Sequence, residues 1–210
     1  MKETKELRNI TIGAMLEETA KKYPNVQAVK YIETEFDKTW KEFDQKVDRI
    51  ARGLLYMGFK KGDHAAVWAV NLPQWLTLFF ATAKIGVVIV TVNTNYKEKE
   101  LEYILKHSDS KALFVCDQLK DIDCEKTIYE LCPEILTSEG CDKWNINAKK
   151  FPKLRMLISF DNYYDKMFHW NEIEKLGELV PDWQYEKAKR MPMMLSISCT
   201  PPGLRDSRRA

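Results

Sequence analysis

Glycine-rich turns are the first place to look for chemistry, because their backbone amides can hold the phosphates of a nucleotide. The sequence contains 8 glycines. None of them forms the GxGxxG motif of dinucleotide-binding proteins or the GxxxxGK[ST] motif of phosphate-binding loops. The sequence also contains no GxSxG nucleophile motif and no HExxH zinc motif. These patterns therefore predict neither a dinucleotide-binding protein, nor a hydrolase, nor a zinc protease.

Carboxylates and imidazoles are the next candidates for chemistry. The acidic pairs Glu17-Glu18 and Glu98/Glu100 fall on predicted helix surfaces, where solvated charges are more common than catalytic dyads. His107 falls near a predicted helix end, where it would interact with the helix dipole. We therefore assign no catalytic residue and no cofactor-binding residue from these patterns.

The cysteines give no metal site. The sequence has 5 cysteines and 3 histidines, but it has no CxxC pair of the kind that binds zinc. We therefore assign no metal ligand and expect free, buried or half-buried thiols in a reducing cytoplasm. The cysteines are Cys116, Cys124, Cys132, Cys141 and Cys199.

The balance of charges argues against a nucleic-acid partner. The chain has 33 basic and 31 acidic residues, a net charge of +2. The two signs alternate along the chain, so no basic stripe is available for a phosphate backbone. The opening residues, Met1 to Glu6, are charged and do not resemble a secretory signal, which favours a cytoplasmic location.

The weakly charged stretch from Ala65 to Val92 has two interpretations. It contains Asn71 and Pro73 at a predicted helix start, and Gly86 precedes a β-branched run. The favoured interpretation is a strand, a helix and a buried strand, and the alternative is a membrane span.

The elements that must position any site alternate along the chain. Helical periodicity and capping signals predict helices over 11–22, from the Thr39–Glu42 capping box to Gly58, from Asn71 to Gly86, over 97–106 and over 122–131. Apolar runs predict strands over 28–32, 65–70, 87–92, 112–115 and 156–160. Residues 137–150 are polar and irregular, which suggests a surface excursion. The alternation predicts an α/β fold with a layered parallel sheet flanked by helices.

A specific order of short motifs runs from Thr39 to Val115. In sequence order the motifs are Thr39-Trp40-Lys41-Glu42-Phe43, Ala51-Arg52-Gly53-Leu54-Leu55, Lys61-Gly62-Asp63, Trp68-Ala69-Val70-Asn71, Gly86-Val87-Val88, Val92-Asn93, Glu100 to Leu105 and Ser108 to Leu113. This ordered set resembles the first subdomain of the adenylate-forming (AMP-binding) superfamily and, within it, the fatty-acid–CoA ligases.

The resemblance implies an enzyme that joins a fatty acid to ATP as an acyl-adenylate and then passes the acyl group to CoA. Such an enzyme needs ATP, Mg and CoA. In that family this region is a structural lobe beside the active site, so no catalytic residue is carried over. Aryl-CoA ligases, luciferase-like enzymes and peptide-synthetase adenylation domains are the rivals of the same class. A non-catalytic remnant or binding lobe is the rival of a different class.

The end of the chain departs from the family pattern. The resemblance implies a Ser/Thr/Gly-rich ATP loop that ends in Pro-Lys-Gly near residue 198. Instead the chain continues as Ser198-Cys199-Thr200-Pro201-Pro202, and no Lys follows Lys189. Prolines lack the amides with which such a loop holds phosphates.

A change of reading frame accounts for the departure. Codons can be formed from the last base of one residue and the first two bases of the next, from the Cys199–Thr200 junction to the Arg209–Ala210 junction. At all eleven positions the degenerate code then permits Tyr-Thr-Ser-Gly-Thr-Thr-Gly-Phe-Pro-Lys-Gly, the family's phosphate-loop motif.

We therefore expect residues 1–190 to be a partial N-terminal AMP-binding domain and residues 191–210 to be an out-of-frame, disordered tail. This fragment would retain no cofactor and would be inactive alone. It would also expose apolar surface that the rest of the enzyme covers, which favours self-association.

Overall fold

The computed structural model describes residues 10–137 and 141–190 of the chain. Its helices are α1 (Ile12–Lys22), α2 (Trp40–Tyr56), α3 (Pro73–Ile85), α4 (Glu98–His107), α5 (Cys124–Leu131), α6 (Glu134–Thr137), α7 (Trp170–Gly177) and α8 (Asp182–Lys189). Its strands are β1 (Gln27–Lys30), β2 (Asp37–Thr39), β3 (His64–Trp68), β4 (Val88–Thr91), β5 (Ser110–Val115), β6 (Gln118–Leu119), β7 (Ile122–Asp123), β8 (Met156–Ser159) and β9 (Phe168–His169).

The central element is a five-stranded sheet in the order β4-β3-β5-β8-β9. All of its neighbouring strands are parallel. Strands β3, β4, β5 and β8 are mostly apolar, and both faces of the sheet are buried, as in β3, where Ala65 to Trp68 are all buried. The predicted α/β fold with a parallel sheet is confirmed.

Helices cover the sheet in two layers. The chain passes from β3 outward to β4 and then back across β3 to β5, so right-handed crossovers place α3 and α4 on opposite faces. Helix α2 contacts α1, α3 and α7, α1 also contacts α3, and α4 contacts α5. The direction of winding therefore reverses between β3 and β5.

Helix α2 begins where the sequence predicts. The Thr39 amide donates to Glu42 Oε2 at 2.9 Å, and the Glu42 amide donates to Thr39 Oγ1 at 3.3 Å. This reciprocal cap satisfies two amides that the first helical turn leaves free. The buried stripe of the helix is Phe43, Val47, Ile50, Ala51, Gly53 and Leu54.

Three local predictions differ from the structure. The strand predicted at 28–32 is β1, which pairs antiparallel with β2 and lies outside the parallel sheet. Asn71 does not cap α3, whose N-cap is Leu72 without a side-chain hydrogen bond. Residues 141–150 form no helix or strand, but they are not purely a surface excursion, because Ile146 is fully buried and Cys141 is buried.

The stretch from Ala65 to Val92 is divided among β3, α3 and β4. The strand, helix and strand interpretation is therefore confirmed, and the membrane-span alternative is wrong. Between residues 10 and 190, leaving out 138–140, no helix has the length and apolarity needed to cross a membrane. The predictions about residues 191–210 lie outside the described residues.

Candidate functional site

Doubly wound sheets bind ligands at the carboxyl ends of strands, in the crevice where the winding reverses. In this chain that crevice lies between the ends of β3 and β5. Trp68 ends β3, and Cys116 and Asp117 follow β5 directly. The neighbouring ends of β8 and β9 bring Ser159 and His169 to the same edge.

Asp117 is the centre of a polar network at this edge. Its carboxylate accepts a hydrogen bond from Ser159 Oγ at 3.3 Å and another from the Asn162 side-chain amide. Burial and a hydrogen bond to Asp117 raise the pKa of Tyr164 above its ordinary value. The Asp117 backbone amide donates to Asp161 Oδ2 at 2.9 Å. These hydrogen bonds join the end of β5 to the end of β8 and to the loop that follows it.

Ser159, His169 and Asp117 have the residue types of a hydrolase triad, but their hydrogen bonds differ from one. Nδ1 of His169 accepts from the Asn171 amide at 3.1 Å, which leaves Nε2 to donate to the Asp161 carbonyl at 3.2 Å. Both ring nitrogens are thus used by the backbone, and the serine hydroxyl donates to the aspartate. A triad needs the histidine to accept the serine proton, so this network does not activate Ser159.

Trp68 and Cys116 lie at the ends of β3 and β5, next to the crevice. The Cys116 amide donates to the Trp68 carbonyl at 3.4 Å. The Trp68 indole Nε1 is buried and has no hydrogen-bond partner among the described residues. An unpaired buried donor costs about 1–3 kcal/mol. Trp68 therefore carries a buried donor that no described residue uses.

Two glycine turns and three basic side chains lie at the opposite edge of the sheet. Gly62 and Gly86 adopt positive φ at turns that precede β3 and β4, and the Gly62 amide donates to the Gly86 carbonyl at 2.9 Å. Lys111, Lys153 and Arg155 line a cleft at this amino edge.

The carboxyl edge, by contrast, carries the carboxylates of Asp117 and Asp161 and no glycine-rich turn among the described residues. The described residues therefore do not fit the triphosphate of ATP. They also contain no cluster of three or more histidine, cysteine or acidic side chains that could hold a metal ion.

A second cluster of charged groups lies in the helical layer, around Lys84. Its side chain is fully buried, and its ammonium lies 2.6 Å from Asp44 Oδ1 and 3.5 Å from Glu17 Oε1, with Asp48 as a third partner. Burial raises the pKa of Asp44 above its ordinary value. The cluster joins α1, α2 and α3 through one cation.

Helix α8 is attached to the same cluster. The Tyr185 hydroxyl donates to Asp48 Oδ1 at 2.5 Å, and Lys189 pairs with Glu17 at 3.0 Å. Burial, followed by the negative charge of Asp48, raises the pKa of Tyr185 well above its ordinary range. The segment that leads to residue 191 is therefore held by buried charge.

The structure confirms some of the predictions about individual side chains and contradicts one of them. The four described cysteines are free and buried, as expected. His107 ends α4, where its Nδ1 lies 2.7 Å from the Tyr103 carbonyl. Glu100 accepts from the amide of Lys97 at the start of α4. Glu17 is not on a solvated face, because it pairs with Lys84 and Lys189.

Comparison with known proteins gives a family match over most of the chain. The model of the family described as "AMP-binding enzyme" matches residues 16–176. A Bacillus subtilis (strain 168) protein named "Putative acyl-CoA synthetase YngI" is 40% identical over 183 residues, which cover 87% of this chain and 33% of that protein. The Homo sapiens protein "Medium-chain acyl-CoA ligase ACSF2, mitochondrial" is 33% identical over 157 residues, which cover 75% of this chain and 25% of that protein.

The chain thus spans about a third or less of the length of these relatives. Solved structures show the same fold. A Mycobacterium tuberculosis fatty acyl CoA synthetase superposes with a TM-score of 0.61 at 23% identity, covering 79% of this chain and 28% of that one. Mycobacterium smegmatis MbtA superposes with a TM-score of 0.64 at 21% identity, covering 80% and 27%.

Proposed function

Because this chain belongs to the AMP-binding enzyme family, we propose that it is the N-terminal lobe of an ATP-dependent fatty-acid–CoA ligase. The whole enzyme would convert a fatty acid, ATP and CoA to acyl-CoA, AMP and pyrophosphate, with Mg as its metal. The observation that carries this proposal is the 40% identity over 87% of the chain to a protein named as an acyl-CoA synthetase. A cytoplasmic location is part of the proposal.

The 210-residue chain is inactive alone in this proposal. What supports this is the carboxyl edge of the sheet, where Asp117 and Asp161 repel phosphates and His169 is held by backbone groups. Catalysis of acyl activation depends on groups that stabilise the developing charge of pyrophosphate, and those groups would lie on the remainder of the enzyme. Residues 1–190 are then a partial N-terminal AMP-binding domain.

Residues 191–210 are an out-of-frame tail in this proposal. What supports it is the eleven-position match to a phosphate-loop motif under one constant shift of reading frame, together with the loss of lysine after Lys189. The frame change would lie a little upstream of Met193, because residues 186–190 keep the lysine-rich composition of the preceding chain.

Sequencing the gene tests the tail. In the frame that begins one base earlier across residues 191–210, we expect codons for the phosphate loop, followed by an open frame. A different sequence in that frame, or an immediate stop codon, would contradict the frame change. The family assignment would survive that result.

Activity assays test the ligase itself. Two proteins are compared, the 210-residue chain and the product of the gene restored to a single frame. We expect the restored protein to form acyl-CoA from a fatty acid, ATP and CoA, and the 210-residue chain to match the no-enzyme control. Turnover by the short chain would refute its inactivity. A restored protein that accepts only aryl or amino acids would favour an aryl-CoA ligase or an adenylation domain, and ATP or CoA binding without turnover by the short chain would favour a binding lobe.

A further inference from the structure

The cleft at the amino edge of the sheet has no role in the proposed function. It lies at the opposite edge from the crevice between β3 and β5, where ligands of this fold bind, and its volume is about 430 Å³. Its lining consists of three cationic side chains, two carboxylates, one imidazole and one glycine. Because no apolar side chain lines it, the cleft offers no surface to an acyl chain or to a nucleotide base.

The three cations of the cleft come from neighbouring segments of the sheet. Lys111 lies in β5, and Arg155 directly precedes β8. The Arg155 amide donates to the Lys111 carbonyl at 2.8 Å, so the two backbones are in direct contact. Lys153 lies two residues before Arg155 and lines the same cleft. Like charges held side by side repel each other, so a negative charge between them would stabilise this arrangement.

The carboxylates of the cleft compensate only part of this positive charge. The Lys111 ammonium lies 3.0 Å from Asp63 Oδ2, so these two charges are paired. Arg155 donates to Asn145 Oδ1 at 3.2 Å, and that acceptor is neutral. In the part of the chain that the structure describes, neither Arg155 nor Lys153 lies within ion-pair distance of a carboxylate. Two cations at this edge are therefore available to an external anion.

The other lining groups leave room for such an anion. Asp109 is the second carboxylate of the cleft, and it is exposed on the turn before β5. The two available cations thus outnumber the one carboxylate that remains. A Cβ atom on Gly62 would meet no heavy atom within 4 Å, so the space beside this turn is open. The imidazole of His64 adds no negative charge.

We propose that the amino-edge cleft is a binding site for a phosphate anion, held by Arg155 and Lys153. The planar guanidinium can donate two parallel hydrogen bonds to a phosphate group, and the ammonium adds a second positive charge. Asn145 uses one of the guanidinium donors, and a guanidinium has five. Pyrophosphate fits best, because it is highly charged and needs no apolar contact. The site does not depend on the ligase activity of the whole enzyme.

Isothermal titration calorimetry of the full 210-residue chain tests the site. The probes are pyrophosphate, inorganic phosphate and AMP, which distinguish a free phosphate anion from the phosphate group of a nucleotide. We expect one pyrophosphate per chain, weaker binding of phosphate and AMP, and affinities that fall as sodium chloride screens the charges. Absence of pyrophosphate binding at low salt would overturn the proposal. AMP binding that is tighter than pyrophosphate binding would also overturn it, since the cleft has no surface for a base.

Variants assign the binding to the cleft. Arg155→Gln should weaken pyrophosphate binding about tenfold or more, because it removes charge-assisted hydrogen bonds. Arg155→Lys should recover only part of this loss, since lysine lacks the planar fork. Lys153→Gln should also weaken binding. The matched control is Lys187→Gln, at an exposed position on α8, and it should bind pyrophosphate like the wild type.

Thermal unfolding of each variant separates binding from folding. Arg155 and Lys153 are exposed, so their variants should unfold at the wild-type temperature. Pyrophosphate binding that is equally strong in Arg155→Gln, Lys153→Gln and Lys187→Gln would place the anion elsewhere and overturn the proposal. Equal binding by Arg155→Lys and Arg155→Gln would overturn the role of the guanidinium.

Discussion

Lys84 is a cation within a helix whose other buried residues are uncharged. Its contribution to stability depends on the carboxylates of Asp44, Asp48 and Glu17, which come from two other helices. A buried ion pair adds little net stability over an apolar replacement of the whole cluster, but removal of one partner leaves buried charge uncompensated. The cluster therefore makes α1, α2 and α3 depend on a single side chain.

Replacement of this cation should be strongly destabilising. Lys84→Met keeps most of the side-chain volume but leaves the three carboxylates without their shared partner. We expect a loss of about 3–5 kcal/mol in the free energy of unfolding, measured by urea denaturation. Lys99→Met, at an exposed position on α4, is the matched control and should change stability by less than about 0.5 kcal/mol. Equal stability of the two variants would contradict this view of the cluster.

The loss of stability in Lys84→Met should be smaller at acid pH than at neutral pH. Burial raises the folded-state pKa of Asp44, so the contribution of its protonation to stability is fully present below the unfolded-state pKa and is lost as pH rises through the folded pKa. Without Lys84 that pKa should rise further, since no cation offsets the burial. Urea denaturation between about pH 4 and pH 7 should show a smaller difference between Lys84→Met and wild type at the acid end. A difference that is constant with pH would exclude protonation of these carboxylates as the cause.

At the scale of elements, α2 and α7 approach each other through glycines. A Cβ atom on Gly53 would lie 2.0 Å from the Ile173 carbonyl oxygen, and one on Gly177 would lie 2.2 Å from the Arg49 carbonyl oxygen. Both obstacles are backbone atoms, which cannot rotate away. The packing of the two helices therefore requires glycine at both positions.

Gly53→Ala should destabilise the chain although alanine is the better helix former. Alanine would add about 1 kcal/mol of helix propensity, but overpacking against the α7 backbone should cause a net loss of about 1–3 kcal/mol. Thermal unfolding measures the change. Gln45→Ala, at an exposed position of the same helix, should be nearly neutral, and a Gly53→Ala variant more stable than wild type would refute the close approach.

The capping box of α2 permits a finer test. Thr39→Ala removes the hydroxyl that accepts from the Glu42 amide, and it should cost about 0.5–2 kcal/mol in the free energy of unfolding. Thr39→Ser keeps the hydroxyl and should recover most of that loss. If Thr39→Ser loses as much free energy of unfolding as Thr39→Ala, the loss comes from the methyl group rather than from the cap.

The sequence predicts those elements whose signals are local. The strands β3, β4, β5 and β8 are apolar runs, and α2 has both a cap and a periodic stripe, so each is identified from its own residues. β9 has only two residues, too few for a pattern. β1 has strand-forming residues, but its partner β2 is set by the hairpin that follows it.

The candidate site is less predictable than the elements. Asp117 meets Ser159 across 42 positions of sequence, and Lys84 meets Asp44 across 40. No sequence motif predicts either contact, because the crossover helices and the packing of helices bring the partners together. Residue types alone suggest a triad at the carboxyl edge, and only the hydrogen bonds of His169 exclude it.

At the scale of the whole molecule, the chain matches a third or a quarter of the length of its curated relatives. An apolar surface surrounds the start of α3, and we name it the α3 face: Val70, Leu72, Trp75 and Phe79. Val70 is 44% exposed, and the Trp75 and Phe79 rings stack with centroids 5.9 Å apart while remaining only partly buried. The Tyr31 hydroxyl donates to the Leu72 carbonyl beside it at 3.3 Å. In the proposed function this surface packs against the remainder of the enzyme.

The 210-residue chain should therefore self-associate through the α3 face, because large exposed apolar surfaces drive association in water. We expect a sedimentation coefficient that rises with protein concentration, together with binding of a hydrophobic dye. Trp75→Lys places a charge within the face and should reduce both effects. Trp183→Lys is the matched control, because Trp183 lies on α8 and is 69% exposed, yet it is outside the face. A wild-type chain that stays monomeric at high concentration without binding dye would contradict the prediction, and equal effects of the two variants would place the association elsewhere.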